Sequence, residues 1–334
     1  DLASVTKVAS TLQAVMMLYD QKKIDLREKL SFYLPELEKT NKSRITIQEV
    51  LLHQAGLKAF IPLFESTRFG SEQLNPYYFS ADTSLPGYLK ISDNLAVNPV
   101  IRDSVFAWVE KSALGGTPGS KYVYSDLGLL LLQKLVERVS GRNLDAFVGV
   151  NIYQPMGLHN LMYNVFQQKP KDLVAPTEIS GDFRKTPVQG TVHDPNAALL
   201  GGVAGHAGLF SNAWDLARLM QMNLNGGSYD DRQFFSKETI DYFTKNQSRI
   251  SHRGLGWNKP SGPGDGTVSQ YASERTYGHT GFTGTCVWVD PEEELIFVFL
   301  SNRVYPSASN QKLIRNKTRQ RIHDVAYKAI NHRI

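Results

Sequence analysis

A chain of 334 residues with a net charge of +5, 41% hydrophobic and 21% charged, has the make-up of an ordinary globular protein. At roughly 150 residues per domain it allows one large domain or two interleaved ones. Cys286 is the only cysteine, which excludes an internal disulfide. Lysines and arginines are scattered rather than gathered into a stripe, which argues against nucleic acid as a partner. No apolar run approaches the ~20 residues that span a bilayer.

The first seven residues, DLASVTK, place Ser4 and Lys7 one helical turn apart, so that on a helix the two side chains rise from one face. Val8, Leu12, Val15, Met16 and Tyr19 continue an apolar face, which predicts a buried helix over 4–20 with the serine and lysine in its first turn. The segment ITIQEVLLHQAGL reads as a second helix stopped by Gly56. Residues 57–100 lose periodicity and carry many aromatics, prolines and asparagines, as expected of a lid over a cleft or of a surface elaboration. Helical patterns resume over Ile101 to Leu114, Leu127 to Val139 and Trp214 to Asn225, with a glycine-dense turn region, GGVAGHAGLF, at 201–210. Toward the end, YASERTYGHTGFTGTCVWVD and ELIFVFLSNRV predict a strand, a tight passage and a hairpin, and an amphipathic helix from Lys312 to Ile330 closes the chain.

A serine three residues before a lysine is a common accident, and Ser309 to Lys312 repeats it. What distinguishes Ser4 is the order of its company: YSD at Tyr124 to Asp126, then HTG at His279 to Gly281. This ordered set resembles the penicillin-recognising serine hydrolases, in the branch of the class C β-lactamases, D,D-peptidases and related esterases, whose elements are SxxK, YxN and KTG or HTG. Ser309 follows the third element and fails the order. ITIQEVLLHQAGL, PGSKYVYSDLGLLLLQKLVERVSG, QPMGLHN and HDPNAALLGGVAGHAGLFSNAWDLARLM extend the likeness over nearly the whole chain.

The resemblance implies an α/β fold of the α+β type: an antiparallel sheet flanked by helices, beside an all-helical half, with the cleft between them. It implies one catalytic domain over 1–334, the sheet part formed by about 1–20 and 250–334 and the helical part by about 21–249. Relatives have a helix and two strands before SxxK that complete the sheet. With Ser4 so near the start, an upstream segment is expected to cover the edge left by IFVFLSN. It also implies a periplasmic or cell-envelope setting.

The chemistry then assigns roles. Ser4 attacks a carbonyl, Lys7, desolvated and lowered in pKa by neighbouring polar groups, takes the serine proton as a neutral amine, and Tyr124 carries the proton to the leaving group and later activates water. The backbone N–H groups of Ser4 and Phe282 form the oxyanion hole, and Asp126, His279, Thr280 and Gly281 join Phe282 in binding substrate. No cofactor is needed.

Two residues depart from the family pattern. His279 stands where many relatives have lysine, which predicts weaker capture of anionic β-lactams. Asp126 replaces an amide donor by an acceptor and could pair with Lys7, holding it charged and making it a poorer base. Both departures predict that carboxylate-bearing acyl donors are disfavoured. His193, Asp194 and His206 match no zinc spacing and are expected to shape turns, so no metal is assigned. Tyr122, His53 and Trp257 are expected to be packing or rim residues.

The function expected is a serine hydrolase that forms an acyl-enzyme and cleaves an amide or ester. D-amino-acid peptides of cell-wall type come first, small esters second, β-lactams third. The competing expectation is a catalytically silent domain of the same fold that recognises cell-wall peptide or glycan.

Overall fold

The computed structural model describes residues 1–69, 73–179, 183–262 and 267–330. Its axis is the segment that carries Ser4. A 3₁₀ turn (Ala3–Val5) widens into a π-helical turn (Lys7–Thr11) and settles into an α-helix (Leu12–Asp20). The single apolar stripe expected here understates its burial. Val5, Val8, Leu12, Val15, Met16 and Leu18 are buried, and so are the polar Thr6, Ser10, Thr11 and Gln13 on the other faces. Those polar groups find partners inside the core: Thr11 donates to Gly205 O (2.7 Å), Tyr163 OH to Ser10 Oγ (2.8 Å), and Gln13 to Val8 O (3.0 Å). Tyr153 OH donates to the carbonyl of Ala9 (2.8 Å), within the π-helical turn. Such widened turns recur at functional sites.

The sheet has three antiparallel strands in chain order, Tyr277–Thr280, Cys286–Asp290 and Leu295–Phe299, as the alternating pattern predicts. His279 pairs with Val287 and Val287 with Val298. Alternation sends Val287, Val289 and Tyr277 into the main core, while Cys286 and Trp288 form a second cluster with Phe297 and Phe299. The closing helix covers that second face: His323 stacks on Phe297 at 4.2 Å and Tyr327 donates to Asp290 (2.6 Å). The helix expected over Lys312 to Ile330 is broken in two, Lys312–Arg315 and Thr318–Ile330, with Lys317 between them in the left-handed region (φ 48°). Among the described residues, the Leu295–Phe299 strand is paired on one side only.

Between 21 and 249 the long helices are Ile101–Lys111, Asp126–Ser140 and Ala213–Leu224, close to the bounds the periodicity predicts. Short antiparallel ladders accompany them. Residues 57–100 fold a three-stranded one from Phe79–Ser80, Leu95–Val97 and Leu89–Ser92. The helix expected to run to Gly56 is only Ile47–Leu51, opened by a Thr46/Glu49 capping box. His53, at φ 55°, turns the chain out of it. Gly56 serves another purpose, since a Cβ there would stand 2.4 Å from the carbonyl of Gly116. That close approach seats this turn against the loop leading to Tyr124. One hydrophobic core runs without interruption from Leu2 to Val289, joining the sheet to the helices.

Candidate active site

The start of the chain ties three distant segments together. Leu2 N–H donates to Leu209 O (2.9 Å), Thr283 Oγ1 to Asp1 O (2.9 Å), and Thr285 Oγ1 to Leu2 O (3.0 Å). The Asp1 carboxylate accepts from the N–H groups of Ala3 and His193, each at 2.7 Å. Between these anchors Ala3 is held at φ 47°, a conformation costly for a residue with a Cβ. The strain immediately precedes Ser4. It turns Ser4 to the surface of the cleft while Leu2, Ala3 and Val5 are buried.

Lys7 lies directly beneath, with 2% exposure. Its Nζ meets Ser4 Oγ at 2.8 Å, His206 O at 2.9 Å and Asp126 Oδ1 at 2.8 Å. The His206 carbonyl accepts one N–H of Lys7, and the Asp126 carboxylate pairs with the ammonium on another side. The third position faces Ser4, as a donor when the lysine is charged and as a lone pair when it is neutral. The expectation of a lowered lysine pKa is corrected here. Burial pushes Lys7 down, but the Tyr124 phenol and the Asp126 carboxylate outweigh it and hold the ammonium above its ordinary value.

Tyr124 is wedged between two imidazoles, its ring centroid 4.7 Å from that of His53 and 5.9 Å from that of His279, and 5.1 Å from Lys7 Nζ. His53, buried and left-handed, grips the segment on both sides of Tyr124. Its carbonyl accepts from Val123 N–H (2.9 Å) and its Nδ1 from Ser125 N–H (3.1 Å). Because Nδ1 accepts, a neutral His53 carries its proton on Nε2. His279 has the opposite tautomer: its Nδ1 lies 2.7 Å from the Thr280 carbonyl, which can only accept. Its Nε2 is a buried lone pair without a partner among the described residues. Burial, then Arg253 and Lys7, hold the pKa values of both imidazoles well below the usual histidine value. His279 therefore keeps a buried acceptor at the cleft wall.

Gly281 follows on the strand's exit. A Cβ there would stand 2.1 Å from Thr285 Oγ1 and 2.5 Å from Leu2 O, so no other residue fits between the HTG turn and the start of the chain. The Phe282 side chain is 52% exposed, packed between the Arg303 guanidinium (4.5 Å) and the His193 ring (5.7 Å). Among the described residues its N–H has no protein acceptor. The N–H of Ser4 lies in a first helical turn, where no intrahelical acceptor exists. Among the described residues both are free donors.

These residues open on a cleft of about 420 Å³ that brings together Ser4, Tyr124, His279, Thr280, Gly281 and Phe282. Tyr122, Asn258, Arg303, Gln311, Ile314 and Arg319 complete its wall, and no carboxylate lines it among the described residues. Larger grooves of about 760 and 980 Å³ lie elsewhere and hold none of the motif residues. Chemistry, not size, selects the site. Two arginines on the wall run against the expectation that carboxylate-bearing donors are disfavoured, which was drawn from His279 and Asp126 alone. Arg319 also braces the HTG turn, donating to Gly281 O (3.3 Å) and Thr285 O (2.8 Å).

The remaining residues singled out by sequence have other duties. His193 is bound to Glu178 (2.7 Å), and His206 to Asp194 (2.8 Å), which also caps the Pro195–Leu199 helix. Trp257 is buried against Tyr277, Tyr122 reaches Arg253, and of the second serine–lysine pair Ser309 lies in an exposed turn while Lys312 opens the short helix, also exposed. His53, expected as a packing or rim residue, holds the Tyr124 segment, and the sequence offered no role for Arg303 and Arg319. The only local signal for the last two was basic residues just after the final strand and at the start of the closing helix.

A family model described as beta-lactamase matches residues 1–320. The chain belongs to the β-lactamase family. It is 34% identical over 323 residues to an N-acetylmuramyl-L-alanine amidase of Bacillus subtilis, covering 91% of this chain and 67% of that protein. An Escherichia coli protein named as a D-alanyl-D-alanine carboxypeptidase is 34% identical over 336 residues, covering 93% of this chain and 71% of its own length. Among solved structures, a penicillin-binding protein homologue from Caulobacter crescentus superposes with a TM-score of 0.67 at 19% identity, over 98% of this chain and 82% of that one. The β-lactamase and penicillin-binding-protein fold is thereby established, and no helix among the described residues is long and apolar enough to cross a membrane.

Proposed function

We propose that this protein is a serine hydrolase that cleaves the amide bond of D-amino-acid peptides of cell-wall type through an acyl-enzyme on Ser4. The observation that carries the reading is the 2.8 Å contact between Ser4 Oγ and a buried Lys7 Nζ that is also held by His206 O and paired with Asp126. Ser4 supplies the nucleophile, and the free N–H groups of Ser4 and Phe282 receive the oxyanion. A donor of that kind is worth about 2.7–4 kcal/mol to the transition state. Tyr124, beside Lys7, delivers a proton to the leaving nitrogen and later draws one from water. No cofactor is called for in this sequence of steps.

The cleft favours a peptide over a simple ester. Arg303 and Arg319 on a wall free of carboxylates suit a substrate that ends in a carboxylate, and the names of the two curated relatives both denote amide cleavage. Such a substrate belongs to the cell envelope. The reading is tested by incubating the protein with a fluorescent penicillin and with a fluorophosphonate and measuring intact mass. The expected result is one covalent adduct on Ser4, absent from Ser4→Ala. Failure to acylate with either probe would leave a binding domain for cell-wall peptide or glycan as the better account.

A further inference from the structure

Asp126 faces Lys7 rather than the cleft wall, and that orientation changes what it can do. An ammonium has three protons and no lone pair, so in its charged form Lys7 cannot accept the serine proton unless it gives one away. Its neighbours limit where that proton can go. The His206 carbonyl is no base, and the Asp194 carboxylate is taken up by His206 and by Ala197 N–H. Tyr124 as a neutral phenol has no vacancy. His53 and His279 share their surroundings with the cationic Arg253 and Lys7, which oppose adding another positive charge. Asp126 is the one carboxylate in contact with the lysine among the described residues, at 2.8 Å.

We propose that Asp126 is the final holder of the Ser4 proton, reached through Lys7. This rests on the reading of Ser4 as nucleophile. As Ser4 Oγ bonds to the acyl carbon, its proton moves to Lys7 and a Lys7 proton moves to Asp126; the carbonyl π pair becomes the oxyanion. When the oxyanion collapses and the bond to the leaving nitrogen breaks, that nitrogen takes the Tyr124 proton. Tyr124 is refilled from Lys7, and Lys7 from Asp126, so that every group ends as it began. Substrate helps the exchange along. The Asp126 side chain is 21% exposed, and a substrate that covers it desolvates the ion pair and favours its neutral form.

The experiment follows Ser4 acylation by a chromogenic ester and by a fluorescent penicillin from about pH 6 to about pH 9 in the wild type, Asp126→Asn and Asp126→Ala. The wild type is expected to show a flat profile, because Lys7 need never lose its charge to solvent. Asp126→Asn removes one of the two groups that hold the ammonium up, so that burial, opposed by Tyr124 alone, pulls Lys7 lower. It is expected to lose roughly 100-fold at pH 6 and to regain about tenfold per pH unit as free lysine appears. Formate, a small carboxylate, restores acylation of Asp126→Ala at pH 6. A wild-type rate that climbs tenfold per unit and coincides with that of Asp126→Asn overturns the relay, as does a folded Asp126→Ala that formate leaves unchanged. Absence of any adduct on wild-type Ser4 with both probes overturns the parent reading instead.

Discussion

The imidazole of His53 lies 4.7 Å from the ring of Tyr124, and its carbonyl and Nδ1 hold the residues on either side of that tyrosine. The left-handed turn at His53 makes the grip geometrically feasible, since it ends the Ile47–Leu51 helix and swings the side chain under the YSD loop. His53 is therefore a positioning residue for Tyr124. His53→Ala should lower kcat about 100-fold with little change in KM, the size expected when a reacting group drifts by about 1 Å. His53→Asn tolerates the same backbone and can place an amide oxygen near the Nδ1 position, so it should recover most of that loss. Equal kcat in Ala and Asn variants of similar stability would show that His53 only fills space.

His279 has spent its N–H on Thr280 and keeps a buried lone pair at the cleft wall. A lysine there would bring a charged donor toward an anionic substrate. His279→Lys should accelerate acylation by anionic β-lactams roughly tenfold, the lower end of what a charge-assisted hydrogen bond contributes. The measurement is the rate of fluorescent penicillin labelling, compared with an uncharged ester whose rate should not rise. A uniform gain on both substrates would contradict the role given to His279.

Acid should loosen the closing helix. His323, stacked on Phe297 and accepting from Ser269 N–H (3.3 Å), has its pKa lowered by burial to about 4. In the unfolded chain a histidine takes up a proton near pH 6.5, whereas in the folded protein it resists doing so. The unfolded state therefore binds more protons below that point, and stability falls as the pH drops from about 6.5 toward 4, by on the order of 3 kcal/mol from this residue. His323→Phe keeps the stack and removes the titration. Its chemical denaturation should show a shallower loss between pH 6.5 and 4.5, although its stability at pH 7 is lower for want of the Ser269 partner. Parallel curves for the two proteins would assign the acid lability elsewhere.

Much of the architecture was legible because it is local. Alternation of apolar residues marked the three strands, and helical spacing marked Ile101–Lys111, Asp126–Ser140 and Ala213–Leu224, since each element must bury one face. Bounds failed where a single backbone conformation overrode the pattern, at His53 and at Lys317. The burial of Thr6, Ser10, Thr11 and Gln13 was hidden because polar side chains read as surface until their partners, here Gly205 and Tyr163 among others, are known.

The sequence by itself determined that Ser4 and Lys7 meet, because three residues along a helix is a distance set by the backbone, and it ordered the tyrosine and the HTG turn behind them. Only the folded chain decided the charge on that lysine, the tautomer of His279 and the presence of Arg303 and Arg319 on the cleft wall. Electrostatic and hydrogen-bond energies depend on separation through space, and the groups that fix these properties come from remote parts of the polypeptide.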